Sequence, residues 1–396
     1  MAISNVNEPR SAEPRGFALF ALGFRPFFLA AGWSAVILVP LWAAVFLGWI
    51  DVDSRYGAYS WHAHEMIFGY AIAVIAGFLL TAVRNWTSQD TATGFWLGLL
   101  ALLWLAGRIL PFTPLQPLLI AGVDLLFLPA LAIAIGIPLS RVKQPQNLVF
   151  PVLLMLLMGA NLLIHLAVFA GMDTWRTGID LAIGLVILVI IVVGGRVVPF
   201  FIERGLPGTQ APKWPKLEIL VFVTAAVWLV TKLLAPASPW LAIAAGVAAC
   251  VHGIRIGLWY TPRIWGVPLL WVLYLGFVWL IIGFLLDALA GFGTVAPTLA
   301  LHAYTAGTIG TLTLGMMARV SLGHTGRDMQ SASAINVAFA LINIAALFRI
   351  LVPLVFPEAY STWIGFASIF WMVTFLLFVG VYTSILIRPR VDGQPG

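Results

Sequence analysis

The chain has 396 residues, of which 62% are hydrophobic and 9% charged, with a formal net charge of +6. Soluble domains run at roughly 45–50% apolar and about 25% charged, so a water-soluble enzyme and a disordered chain are both excluded. The charges are few and lie between apolar runs, so the cations face a lipid bilayer and not nucleic acid.

A helix needs about 20 mainly apolar residues to cross the hydrocarbon core. Backbone polar groups must be satisfied within lipid, so each long apolar run reads as a helix. Six runs lie near 21–46, 61–83, 93–110, 114–138, 147–170 and 176–200. Six more lie near 216–235, 238–258, 267–289, 298–320, 331–353 and 360–386. The run at 93–110 is short, and Arg108 within it can snorkel to the interface. The prediction is an all-α integral membrane protein of twelve transmembrane helices, a single polytopic domain over 1–396. Its six-helix halves, 21–200 and 216–386, are joined by a cytoplasmic linker at 201–215 carrying Gly205, Pro207, Gly208 and Pro212.

Charge sets the orientation. With both termini inside, sixteen Lys and Arg fall on the cytoplasmic side, among them Arg10, Arg15, Lys143, Arg196 and Arg319, and five on the other. That is the positive-inside pattern. The first run lacks a convincing small-residue cleavage site and reads as a retained helix. A faint internal echo sets His62-Ala63-His64 in span two against His302-Ala303-Tyr304 in span ten.

The histidines carry much of the remaining information. His62 and His64 open span two, His165 is in the outer half of span five, and His302 is in the first turn of span ten, all at similar depth on the outer side. His252 lies in the inner half of span eight and His324 in the inner loop after span ten. Residues two apart on a helix point about 200° from one another. His62 and His64 therefore serve two centres, or one ligates while the other hydrogen-bonds. A haem held by imidazoles from facing helices needs equal depth and an apolar, aromatic lining. His62 or His64 with His302 meets the depth condition. A copper site is the other reading, with His165 as a further ligand. Interfacial histidines merely tolerated near water are the bland alternative.

Other polar groups are sparse. Asp124 lies mid-span in run four and is a functional candidate or a buried partner for Asn, Ser or backbone groups. Asp180 and Asp287 sit nearer outer ends and are expected to reach the interface. Glu65 is suited to orient a ligand histidine, or to pair with Arg108 or Arg349. Arg84, Arg196, Arg255 and Arg319 end spans on the inner side, as topology anchors or as a basic vestibule. Asn161, Asn336 and Asn343 suit bonds across helices, and Met316 and Met317 read as packing residues. The single cysteine, Cys250, excludes an intrachain disulfide, a four-thiolate zinc site and iron–sulfur ligation by this chain alone. There is no C-x-x-C-H for covalent haem. The loop Gly323 to Arg327 can present backbone donors to an anion but lacks the P-loop pattern.

The stretches Gly23-Phe24-Arg25-Pro26-Phe27-Phe28, Trp61-His62-Ala63-His64-Glu65-Met66, Pro268-Leu269-Leu270-Trp271 and Ala318 through Arg327 together resemble the NnrS family, over about residues 16–386. The resemblance implies a bacterial inner-membrane protein containing haem b and copper, with a role in the response to nitric oxide and nitrosative stress, often alongside denitrification. By that analogy the metal sites fall on His62, His64 and His302, with His165 and His324 as further candidates. Tyr274 stands where the family pattern has a histidine in span nine, which puts copper in question. Arg319 and Arg327 lie within the matching stretch after span ten. The twelve spans, with histidines on two and ten, are also similar to the haem–copper oxidase main subunit. Fold likeness does not carry chemistry with it. The expected activity is nitric oxide binding, or electron transfer with a donor protein or quinol, at an outer-leaflet haem. If the chain is an enzyme, it is a haem-dependent oxidoreductase. The alternative is a twelve-helix transporter of a small anion or metal ion without a redox cofactor, with Asp124 as its coupling residue.

Overall fold

The computed structural model describes residues 16–142 and 144–394, so Arg10, Arg15 and Lys143 lie outside the described residues. Among the described residues there is helix and no strand. Eleven helices are long and apolar enough to cross a membrane. They are α1 (Phe24–Phe46), α2 (Ala58–Thr87), α3 (Gly94–Phe112), α4 (Pro117–Arg141), α5 (Pro145–Ala170), α6 (Trp175–Gly205), α7 (Pro215–Leu234), α8 (Pro239–Trp259), α9 (Pro268–Gly291), α11 (Ser333–Val355) and α12 (Pro357–Ile387).

Where the tenth span was expected, α10 (297–324) consists of three consecutive segments and is not among the eleven. These are an α-helix at Pro297–His302, a π-helix at Ala303–Ile309 and an α-helix at Gly310–His324. Each is too short to count as a crossing alone. The other helices match the apolar runs to within a few residues, except that α6 continues to Gly205. The segment expected as a linker, 201–215, is thereby reduced to 206–214 between α6 and α7.

Local signals explain several ends. Proline opens α4, α7, α8, α9 and α10, where its missing N–H costs nothing. Ser238 caps α8 by accepting from the Leu241 N–H at 3.3 Å. Gly171 ends α5 at φ 67°, in the left-handed region that glycine enters without strain.

The outer ring is not uniform. Along their most apolar stretches, α2 and α6 are 89% and 67% buried, against 28% for α3 and 33% for α1. The segment Gly310–His324 is also largely buried. The helices α2, α6 and α10 touch one another, and α12 packs on both α11 and α1 to close the ring around them. The centre is tight at Gly307, where a Cβ would meet the Trp279 ring at 2.8 Å. A side chain there would force α9 and α10 apart.

The sequence echo has a structural counterpart. A π-helical turn, Glu65–Ala71, follows His62-Ala63-His64, and another, Ala303–Ile309, follows His302. Such turns insert a residue and re-aim the side chains around it, and they recur at functional sites.

Candidate functional site

His62 and His302 line one cavity of about 330 Å³ enclosed by α1, α2, α6, α10, α11 and α12. Its walls are mainly apolar and aromatic, including Trp42, Met66, Tyr70 and Trp371, and Arg349 is the one charged side chain among its described lining residues. The size lies within the range of small-molecule sites.

Both rings are held. His302 Nδ1 donates to the Thr298 carbonyl at 2.7 Å, which leaves Nε2 as the acceptor nitrogen. Arg349 Nη2 donates to that Nε2 at 2.9 Å, while Arg349 Nη1 donates to the Tyr360 hydroxyl at 3.1 Å. His62 stacks on Trp42 with ring centroids 4.1 Å apart. Its Nδ1 is buried and has no hydrogen-bond partner among the described residues. A buried nitrogen without a partner is costly, and a bound ligand would remove that cost.

Two residues on, His64 turns away from this cavity, as the helical angle requires. It enters a buried polar cluster among α2, α3, α4 and α5. Its Nδ1 faces Glu65 Oε1 at 3.0 Å, and its Nε2 faces Asp124 Oδ2 at 3.1 Å and Asn161 Oδ1 at 3.0 Å. His165 Nε2 faces the same Asp124 oxygen at 3.1 Å, and Asn161 Nδ2 donates to it at 2.7 Å. Arg108 pairs with Asp124 Oδ1 and lies 3.4 Å from Glu65 Oε2. The Tyr56 ring stacks on His64 at 4.7 Å. His64, Asp124 and His165 each offer a ligand atom within 4.8 Å of the others, so the trio could hold a metal ion. Imidazole with carboxylate suits zinc, copper, iron or nickel.

A third buried set lies among α7, α9 and α10. Lys232 Nζ donates to both Asp287 oxygens at 2.8 and 2.9 Å. Trp228 Nε1 and the Tyr304 hydroxyl donate to Asp287 Oδ2 at 2.8 and 3.1 Å. The expectation that Asp287 reaches the interface is corrected here, since it is 1% exposed and neutralised by Lys232. Asp180 does stay near the surface, 12% exposed and 3.5 Å from Arg176.

The four histidines expected at similar depth fall into two pairs, His62 with His302 in one cavity and His64 with His165 around Asp124. Glu65 faces His64 Nδ1 and lies beside Arg108, its expected ion-pair partner, with no contact to Arg349 among the described residues. The other candidates are not brought to either pair. His324 ends α10 beyond 22 residues of helix from His302, with its Nε2 3.5 Å from Asn85 Nδ2 and its ring near Phe24. Tyr274 packs near Tyr260 and Trp265. Arg319 lays its guanidinium over the Phe201 ring at 3.9 Å, and the Arg327 N–H bonds the Leu322 carbonyl at 3.1 Å. Met316 and Met317 pack against the core, and Asn343 accepts from Trp279 Nε1 across α9 and α11.

Sequence reasoning missed Arg349 and Tyr360 as partners of the His302 cavity, and nothing local in the sequence marks them. The convergence of Asn161 and His165 on Asp124 did have a signal: they are i,i+4 on α5 and share a face.

Among curated proteins, none matches this chain. The family model for NnrS protein matches residues 18–390, nearly the whole length, including both histidine pairs, and on that match the chain belongs to the NnrS family.

Proposed function

We propose that this chain is a haem-binding protein of the nitric oxide and nitrosative stress response, spanning the bacterial inner membrane twelve times with both ends cytoplasmic. Family membership and the bundle of apolar helices fit a multi-pass membrane protein of that response. The observation that carries the haem reading is the cavity lined by His62 on α2 and His302 on α10; the charge pattern of the sequence is what assigns it to the outer leaflet in this reading.

The residues fit the group. Haem requires imidazole donors within an apolar, aromatic enclosure, and the buried Nδ1 of His62 lacks a partner among the described residues. When bound, the iron supplies one-electron chemistry and a site for nitric oxide. The protein's own contribution is positional. Thr298 fixes the His302 tautomer, so Nε2 carries the lone pair, and Trp42 holds the plane of His62. Arg349 must leave Nε2 before that nitrogen can ligate. As the cavity's cation it is then suited to a porphyrin carboxylate, with Tyr360 steadying the guanidinium.

The trio His64, Asp124 and His165 is the best candidate for a second metal, copper by family expectation. Electrons would arrive from a donor protein or quinol. The central placement of α2, α6 and α10 supports the likeness to the haem–copper oxidase main subunit, without implying oxygen reduction.

The test is absorption spectroscopy and metal counting on the full chain expressed with ample haem. The wild type should show a Soret band that shifts with dithionite and nitric oxide. His62→Ala and His302→Ala should each lose most of the haem, and His252→Ala should keep it. His165→Ala should keep haem and lose the second metal. Full haem occupancy in both His62→Ala and His302→Ala would overturn the assignment.

A further inference from the structure

A second cavity, of about 70 Å³, lies between α1, α2, α6, α9 and α10. Its walls include Phe28, Val74, Val193, Gly194, Phe277 and Met316, and every lining residue is buried or half-buried. The one polar side chain on its wall is Thr313. That hydroxyl is already engaged, donating to the Ile309 carbonyl at 2.6 Å and sharing a 2.5 Å hydrogen bond with the Tyr70 hydroxyl.

A buried water needs two to four polar partners, and an apolar cavity without them stays dry and takes up apolar guests such as xenon. The lining presents no polar surface to this cavity, so water finds no partner there. The cavity is far smaller than the histidine cavity, which favours an uncharged guest of a few atoms; a lipid chain entering from the bilayer would appear as elongated density and overturn the proposal.

The position adds a direction. Tyr70 lines the histidine cavity and Thr313 lines the small one, so this hydrogen-bonded pair links their walls. Tyr70 belongs to the π-helical turn of α2, and Thr313 follows that of α10 within one turn. We infer that the small cavity is a docking site for an uncharged diatomic gas, held next to the histidine cavity at the Tyr70–Thr313 pair. Such gases partition into the bilayer, and the cavity gives them an apolar station inside the bundle. The onward step to the histidine cavity rests on the haem reading above, whereas the gas site itself does not.

Xenon is the probe. Crystals of the full chain are pressurised with xenon for the wild type, Val193→Phe and Val193→Ala. Val193→Phe fills the cavity, and Val193→Ala enlarges it without adding polarity. Xenon density between Val193, Phe277 and Met316 is expected in the wild type and in Val193→Ala, and its loss in Val193→Phe. Ordered water in that cavity, or xenon absent from it in both wild type and Val193→Ala, overturns the proposal. The onward step is read by flash photolysis of the nitrosyl haem protein. The wild type is expected to show a slow rebinding phase from gas held in the small cavity, and Val193→Phe to lack it; identical kinetics in the two would overturn the route. Wild-type protein without a Soret band would sink the haem reading alone, leaving the xenon result to decide the gas site.

Discussion

Asp124 is the acceptor on which the first-half polar cluster converges. It is 4% exposed and takes bonds from Arg108, Asn161 and His165, with His64 facing the same oxygen. Asp124→Asn keeps the shape and removes the charge. An ionised carboxylate only accepts, but an amide places an N–H on one side. Either orientation sets that N–H against Arg108 or against the Asn161 and His165 donors. Arg108, 10% exposed, then keeps Glu65, at 3.4 Å, as its one carboxylate partner among the described residues. Breaking a buried ion pair from one side typically costs about 3–5 kcal/mol. Because Glu65 still offsets part of the Arg108 charge, a loss near the lower figure, about 3 kcal/mol, is expected here. The assay is unfolding of the purified protein in mixed micelles, followed by tryptophan fluorescence. A double variant, Arg108→Met with Asp124→Leu, removes both charges and should lose less than the sum of its single changes. If Asp124→Asn costs under about 1 kcal/mol and the double variant is additive, the cluster is not the coupled unit described here.

Two further outcomes follow from local geometry. At Gly107 a Cβ would stand 2.5 Å from Asp124 Oδ1, so Gly107→Ala must push the carboxylate out of place. It should destabilise by about 1–3 kcal/mol in the same assay. Gly122→Ala on α4, with nothing within 4 Å of its Cβ, should be neutral or stabilising, and equal losses at both positions would refute the close-packing argument. At the C-terminal tail, hydrogen bonds from Arg390 pull the Asp392 carboxyl down to about 2 from its ordinary 3.8. A depressed acid contributes above its unfolded value and loses that contribution as pH falls through its folded value, so the Arg390–Asp392 pair persists until about pH 2. Carboxyl carbon NMR should show that midpoint, and Arg390→Gln should return it toward 3.8.

The sequence by itself determined the helices, because lipid allows a long apolar stretch almost no other backbone arrangement. Their bounds follow from proline, glycine and the ends of apolar runs, and the matching depth of His62 and His302 was readable from span counting. The divergence of His62 from His64 was also legible, since 3.6 residues per turn fixes it whatever the surroundings. Which partner each ring meets was not. That depends on how helices far apart in sequence rotate against one another, and in lipid that rotation is set by side-chain packing and not by the apolar pattern. Only the tertiary structure therefore assigned His302 to His62 and His165 to His64, and brought Arg349 onto His302. Asp287 makes the same point. Near a helix end it reads as interfacial, yet it is buried because Lys232, Trp228 and Tyr304 converge on it from two other helices. The two π-helical turns, Glu65–Ala71 and Ala303–Ile309, lie beyond sequence reading as well, since no residue pattern at either marks the inserted residue.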